Sequence, residues 1–299
     1  MQILYAMARD ETVSDTGALQ RYERMISVSY QTFLLTLSTF LRVARYAMDD
    51  AEKRKGKLRP TPEDLNFKPK LGDNPLINSL LENDGLNRLF VQNKTKEWTA
   101  KDKIRDLYLS FLKTDAYKAY LSQPSSDNEH LQILLVLYKH LTGSENFNEI
   151  IEDFNALWQD DKSLISGAIK KIIKSLPAKA DFYEKFTLDK DTVEEFGQEL
   201  LLDVVKKNQQ YLDIIEPALN NWDIERVAII DMILIKMGLS EFLNFESIPT
   251  KVTLNEFVDL AKIYSTDKSK EFVNGILDRL MKKLDKEGMI IKEGRGLIG

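Results

Sequence analysis

No cysteine occurs anywhere in the 299-residue chain, which excludes disulfides, thiolate nucleophiles and Cys-based zinc or iron–sulfur sites. Histidine is nearly as scarce, with only His130 and His140. A His-rich metal centre and a multi-His relay are therefore excluded, and a separation of ten residues is too long for two ligands on one helical turn. Glycine (13) and proline (8) are few, which favours long helices over many short strands. No run reaches the ~18 uninterrupted apolar residues of a membrane span. The longest candidate, Tyr30 to Val43, is broken by Gln31, Thr32, Thr36, Ser38, Thr39 and Arg42. No basic segment precedes an apolar one at the start, so no secretory signal is expected, and the Asn93-Lys94-Thr95 sequon then carries no meaning. The expectation is a cytoplasmic protein without a membrane partner. No G-x-x-x-x-G-K-[ST] is present, nor a Glu-x-x-His pair. No enzymatic activity, cofactor or metal is expected.

What remains is charge and helical periodicity. The chain has 42 Lys+Arg against 47 Asp+Glu, a net charge of -5, which argues against whole-surface nucleic-acid binding while leaving room for local patches. Residues 1–8 are apolar with no capping residue before them and resemble the middle of a helix. Residues 10–17 are turn-like. From about 18 to 55, Tyr22, Met25, Ile26, Phe33, Leu34, Leu37, Leu41 and Ala44 fall at three- and four-residue steps, predicting one long helix. It ends in Lys53, Arg54, Lys55, Gly56, Lys57 and Arg59. These form either an RNA-phosphate patch or a capped, solvated helix end suited to the dipole, and the second reading is preferred. Four of the eight prolines lie at 60–75, an extended connection with a short helix near 76–81. Helices are expected at 101–121 (one or two), 128–142, 146–159, 162–175 and 191–220.

The last eighty residues are the most informative. Residues 222–226 open a predicted helix reaching about Phe242, with Asp223 as its cap and Ile230, Ile233, Leu234 and Met237 as its stripe. Thr253-Leu254-Asn255-Glu256 matches a capping box, with Val252 and Phe257 as a hydrophobic staple. A final helix contains Phe272-Val273-Asn274-Gly275-Ile276-Leu277-Asp278. Gly275 there costs about 1 kcal/mol against Ala, and close approach of a neighbouring helix is the expected return. Asn274 is read as a buried amide.

The run Ile248-Pro249-x-Lys251-Val252-x-Leu254-Asn255-Glu256-x-Val258-x-Leu260-Ala261-Lys262, followed by Ser269 and Phe272 to Asp278, resembles the NusB family of bacterial transcription antitermination factors. The start at 222–226, Tyr211-Leu212-Asp213 and Gln2-Ile3-Leu4-Tyr5-Ala6 resemble the same family in order and spacing. The similarity covers about 196–283 plus the first few residues. The long intervening stretch is similar to the enlarged form found in Bacteroidetes-like bacteria. The resemblance implies an all-α bundle of two packed three-helix sub-bundles with a long helical expansion after the first helix. The expected divisions are 1–9 (a truncated first helix), 10–190 (the expansion) and 191–299 (the C-terminal core). It further implies a non-enzymatic protein that binds the single-stranded boxA element of ribosomal RNA leaders. Its partners would be NusE, a small-subunit ribosomal protein, and the RNA polymerase elongation complex. Family members carry arginines just before the Gln2-equivalent position, and this sequence begins inside that motif. Weak RNA binding alone and tighter binding with NusE are therefore expected. The alternative is a NusB-like interaction scaffold without RNA binding of its own.

The resemblance places the RNA corner at Gln2, Lys268, Ser269, Lys270 and Phe272. Cations beside a helix N-terminus suit phosphate, and an aromatic ring suits a base. Ser269 is otherwise a cap and Phe272 a core residue. Residues 268–299 hold eight Lys+Arg and five Asp+Glu, whereas 213–246 hold two and seven. A basic RNA corner and an acidic face for NusE, including Glu225 and Asp231, would fit this split.

Overall fold

The computed structural model describes residues 1–10, 12–187, 189–219 and 222–293. Helix accounts for 75% of the described residues, and no strand occurs among them. The sequence is thus all-α, as its scarcity of breakers implied. The expected end of the 191–220 helix, and the last six residues of the 268–299 charge count, lie outside the described residues.

Helix α1 spans Gln2–Arg9 and α2 spans Asp15–Lys55, 41 residues in all. α2 matches the long helix read from the apolar spacing. Its basic end is tied internally: Lys53 donates to the Tyr46 hydroxyl (2.6 Å), Arg54 to Asp50 (2.8 Å) and Lys57 to Asp64 (2.7 Å). That supports the helix-end reading of this run over an open phosphate patch. α3 (Pro62–Asn66) and α4 (Pro75–Leu81) each begin with proline behind a capping side chain, Thr61 and Asn74. Proline lacks only an amide that the first turn leaves unpaired anyway. α5 (Asp84–Gln92) was not expected; Asn83 starts it by accepting the Leu86 amide.

The single pattern at 101–121 is two helices, α6 (Lys101–Leu112) and α7 (Asp115–Ser122), divided where Thr114 caps the second. α8 (Asp127–Thr142) opens with a Ser126–Glu129 capping box. α9 (Glu145–Phe154) and α10 (Trp158–Lys174) are separated at Asn155, whose side chain accepts the Leu157 amide. After a 3-10 turn at Phe182–Phe186 and wide π-type turns at Asp191–Gln198 come α11 (Glu199–Lys206) and α12 (Asn208–Ile215). α13 (Ile229–Asn244), α14 (Thr250–Tyr264) and α15 (Ser269–Lys286) complete the chain.

The chain forms two compact units, Met1–Ile26 with Leu188–Gly299, and Ser27–Thr187. In the second unit, Leu34, Leu37, Phe40, Val43, Ala44 and Ala47 of α2 are buried with Tyr108, Tyr117, Tyr138 and Trp158. Its two histidines are internal hydrogen-bonding groups: His130 Nδ1 lies 2.7 Å from the Tyr120 hydroxyl and His140 Nε2 lies 2.9 Å from Ser110 Oγ. In the first unit, α13, α14 and α15 pack on one another, and α1, α11 and α12 also pack on α13. α13 is apolar on nearly every side, burying residues 231–235 and 238–242, as a helix enclosed by others must.

Several local expectations are corrected. Residues 222–226 do not begin α13. Asp223 caps only a 3-10 turn, Ile224–Arg226, and α13 starts at Ile229. The Thr253 capping box does not form, because α14 starts four residues earlier, with Pro249 in the capping position. Thr253 is buried in the helix, with its hydroxyl 3.5 Å from the Pro249 carbonyl. Asn274 is exposed rather than buried. Gly275 has open space where its Cβ would stand, whereas at Gly238 a Cβ would lie 2.8 Å from Leu277 and 3.3 Å from Phe257. The close helix approach is therefore made at Gly238 of α13.

Gly238→Val should lower stability by about 1–3 kcal/mol through overpacking. Gly275→Ala should raise it by up to about 1 kcal/mol through helix propensity. Urea denaturation of the two variants checks both signs. Burial, the largest influence on each, lowers the pKa of His130 and of His140; Lys70 lowers His130 further. The unfolded chain therefore binds protons first, near pH 6.5. Stability of the Ser27–Thr187 unit should be level above about pH 7 and fall as the pH drops below about 6.5. A His130→Gln/His140→Gln variant melted above and below that pH should show a flatter profile.

Candidate nucleic-acid interface

The first turn of α15 is built around one buried carboxylate. Asp231, in the first turn of α13, is 5% exposed. One of its oxygens accepts from Ser265 Oγ at 2.5 Å and the other from Ser269 Oγ at 2.8 Å. Ser265 is the C-cap of α14 and Ser269 opens α15, so a single side chain stitches three helices. Ser269 Oγ in turn accepts the Thr266 amide at 3.3 Å and lies 2.8 Å from the Thr266 hydroxyl. The negative charge also sits at the N-terminal ends of α13 and α15, where the helix dipoles favour it.

This geometry divides the residues singled out from the sequence. Lys268 and Lys270 are exposed beside the helix start, and Phe272 is half-buried. Lys268 and Phe272 are four residues apart and share a helix face. Ser269 is 3% exposed, and its hydroxyl holds Asp231 and the preceding turn; it positions the corner rather than lining it. Gln2 opens α1, half-exposed, on a helix that packs against α13. Glu225 is exposed in the 3-10 turn before α13. Asp231 is corrected: its carboxylate is consumed inside and offers no charge to a partner. Glu241 of the same acidic stretch is also buried, and burial raises its pKa while Thr253 and Lys292 act to lower it. The acidic exterior of 213–246 is therefore reduced to Asp213, Glu216, Asp223, Glu225 and Glu246.

One residue was missed. Trp222 is 63% exposed, and its ring lies 5.4 Å from that of Phe272 at an interplanar angle of 57°. The two rings meet because the turn preceding Trp222 is tied to α15: Arg279 donates to the Ala218 carbonyl, and the Trp222 amide to that of Leu219 at 3.2 Å. The signal available in the sequence was an indole in a polar turn, without an apolar period to bury it. The corner thus presents two lysines and an aromatic pair on a braced helix end. These are the groups a single strand needs, cations for phosphates and flat rings for bases.

Asp231→Ala should cost about 1–3 kcal/mol, because two buried hydroxyls lose their acceptor. Thermal melting measures the loss, and faster amide exchange at residues 266–272 locates it.

Comparison with known proteins bears on the same region. The family model described as NusB family matches residues 169–282. The transcription antitermination protein NusB of Salinibacter ruber is 41% identical over 113 residues, 38% of this chain and 71% of that protein. Its counterpart in Chloroherpeton thalassium is 41% identical over 99 residues, 33% of this chain and 47% of that protein. That of Natranaerobius thermophilus is 36% identical over 116 residues, 32% and 84% respectively. No solved structure matches. With 71% and 84% of two relatives' length covered at 41% and 36% identity, the chain belongs to the NusB family.

Proposed function

We propose that this chain is a transcription antitermination factor that holds single-stranded boxA-type RNA at the α15 corner, with NusE as its protein partner and an elongating RNA polymerase as its setting. The observation that carries the reading is exposed Trp222 against half-buried Phe272, beside Lys268 and Lys270 on a helix start that Asp231 fixes in place. Lys268 and Lys270 neutralise phosphates, the rings take a base, and Gln2 contributes a polar contact from α1. The chain acts by binding, not catalysis; its buried carboxylates and hydroxyls are spent on one another. NusE, a basic ribosomal protein, meets the exposed acids, Glu225 with Asp213, Glu216 and Asp223. This charge match makes the complex weaken as salt rises.

Fluorescence anisotropy with boxA RNA across a salt series tests the RNA site. Lys268→Ala with Lys270→Ala should weaken binding and flatten the log–log salt slope by about 1.4, at ~0.7 per phosphate for single strands. Trp222→Ala should cost about 1–3 kcal/mol of binding. Its exposure makes it a cleaner probe than Phe272→Ala, which also removes packing. A double lysine variant that folds normally and binds with unchanged affinity and slope contradicts the assignment. For the partner face, Glu225→Lys should reduce NusE affinity, most at low salt; unchanged affinity at low salt excludes this surface.

A further inference from the structure

The Ser27–Thr187 unit carries a surface that the α15 corner does not explain. Between α5 and α6 the chain reads Lys94-Thr95-Lys96-Glu97-Trp98-Thr99-Ala100-Lys101. Thr95 and Thr99 are each 2% exposed. Thr95 Oγ1 donates to Ser38 Oγ at 3.1 Å, Thr99 Oγ1 lies 3.3 Å from Thr39 Oγ1, and Arg42 Nη2 donates to the Thr99 carbonyl at 2.9 Å. The loop is therefore anchored to α2 at two points four residues apart, and the residues between them are exposed. Trp98 is 51% exposed, and its one ring contact among the described residues is an edge-on one with Phe154, centroids 4.7 Å apart. That contact fixes the indole without covering it.

The charge around this ring is of one prevailing sign. Residues 94–105 hold five cations, Lys94, Lys96, Lys101, Lys103 and Arg105, against two carboxylates, Glu97 and Asp102. All five cations are exposed, and none forms an ion pair among the described residues. Arg42 adds a sixth positive charge against the loop. It has no ion-pair partner among the described residues, and its second terminal nitrogen, Nη1, is buried without a hydrogen-bond partner. An acidic chain overall that leaves cations unneutralised around an uncovered indole presents complementarity to a polyanion with flat groups.

We propose that residues 94–105, centred on Trp98, form a second binding surface for single-stranded nucleic acid. A base stacks on the indole and the flanking phosphates lie along Lys96, Lys101 and Lys103. Because the loop is braced before binding, little ordering is required when the strand arrives. The surface is separate from the α15 corner and does not depend on that assignment.

The test uses the full chain and a fluorescein-labelled oligouridylate at low salt, in the unaltered protein and in a Lys268→Ala/Lys270→Ala background that silences the other corner. Trp98→Ala should weaken binding at least about fivefold in both backgrounds, and Trp98→Phe should recover part of it. Lys96→Glu with Lys101→Glu changes only exposed side chains, so it keeps the test interpretable if Trp98→Ala unfolds. It should weaken binding and flatten the salt slope. Unchanged affinity of the silenced background on adding either substitution set overturns the proposal. Binding of poly-glutamate but not oligouridylate, lost in Lys96→Glu/Lys101→Glu, also overturns it and assigns the patch to an acidic protein. Loss of binding in the silenced background alone, with Trp98→Ala silent in the unaltered protein, leaves the α15 assignment standing and removes this one.

Discussion

Two hydroxyl protons on one buried carboxylate hold the α13–α15 corner of the first unit together. Asp231 accepts from Ser265 and Ser269, so the end of α14, the start of α15 and the first turn of α13 have one common fixed point. A buried carboxylate without donors would be strongly unfavourable. Given donors on two other helices, it becomes a constraint on how those helices meet. Everything proposed for the corner follows from that constraint: the direction in which Lys268 and Lys270 leave the helix, and the height at which Phe272 meets Trp222.

The far end of α13 is organised by the same logic. Asp203 of α11 accepts from Tyr211, from Ser240 at 2.5 Å and from Asn244 at 3.0 Å, with Lys207 at 2.5 Å. Lys292 donates to the carbonyls of Glu241 and Phe245, the last acceptors of α13. Between these polar ends the helix is closely packed, with Gly238 admitting Leu277 and Phe257. A helix apolar all round thus has its rotation and register set at its ends, where polar partners exist.

Much of this was readable from the chain. The scarcity of glycine and proline gave the fold class, and the three- and four-residue spacing of Phe33, Leu34, Leu37 and Leu41 gave α2. The motif around Phe272 to Asp278 located the family. What could not be read were properties set by tertiary neighbours. Asp231 and Glu225 are equally acidic in sequence, yet one is buried by two distant serines and the other is exposed. Gly275 and Gly238 are both helical glycines with apolar residues within a turn of them, and only the three-dimensional packing shows which one a neighbour presses against. The Thr253 capping box failed because Pro249 could start the helix a turn earlier, burying the threonine. α5 was missed because its signal, Asn83 accepting the Leu86 amide, is a cap of one residue inside a proline-rich stretch. Trp222 lay in a turn where no periodicity marks a side chain as important.

The central claim is that RNA lies across the braced start of α15. Hydrogen exchange of the full chain, with and without saturating boxA RNA, tests it without any substitution. The account predicts that RNA slows exchange in the first turn of α15, at residues 266–272, and in the segment carrying Trp222. RNA bound at saturation with exchange in both segments unchanged would contradict it.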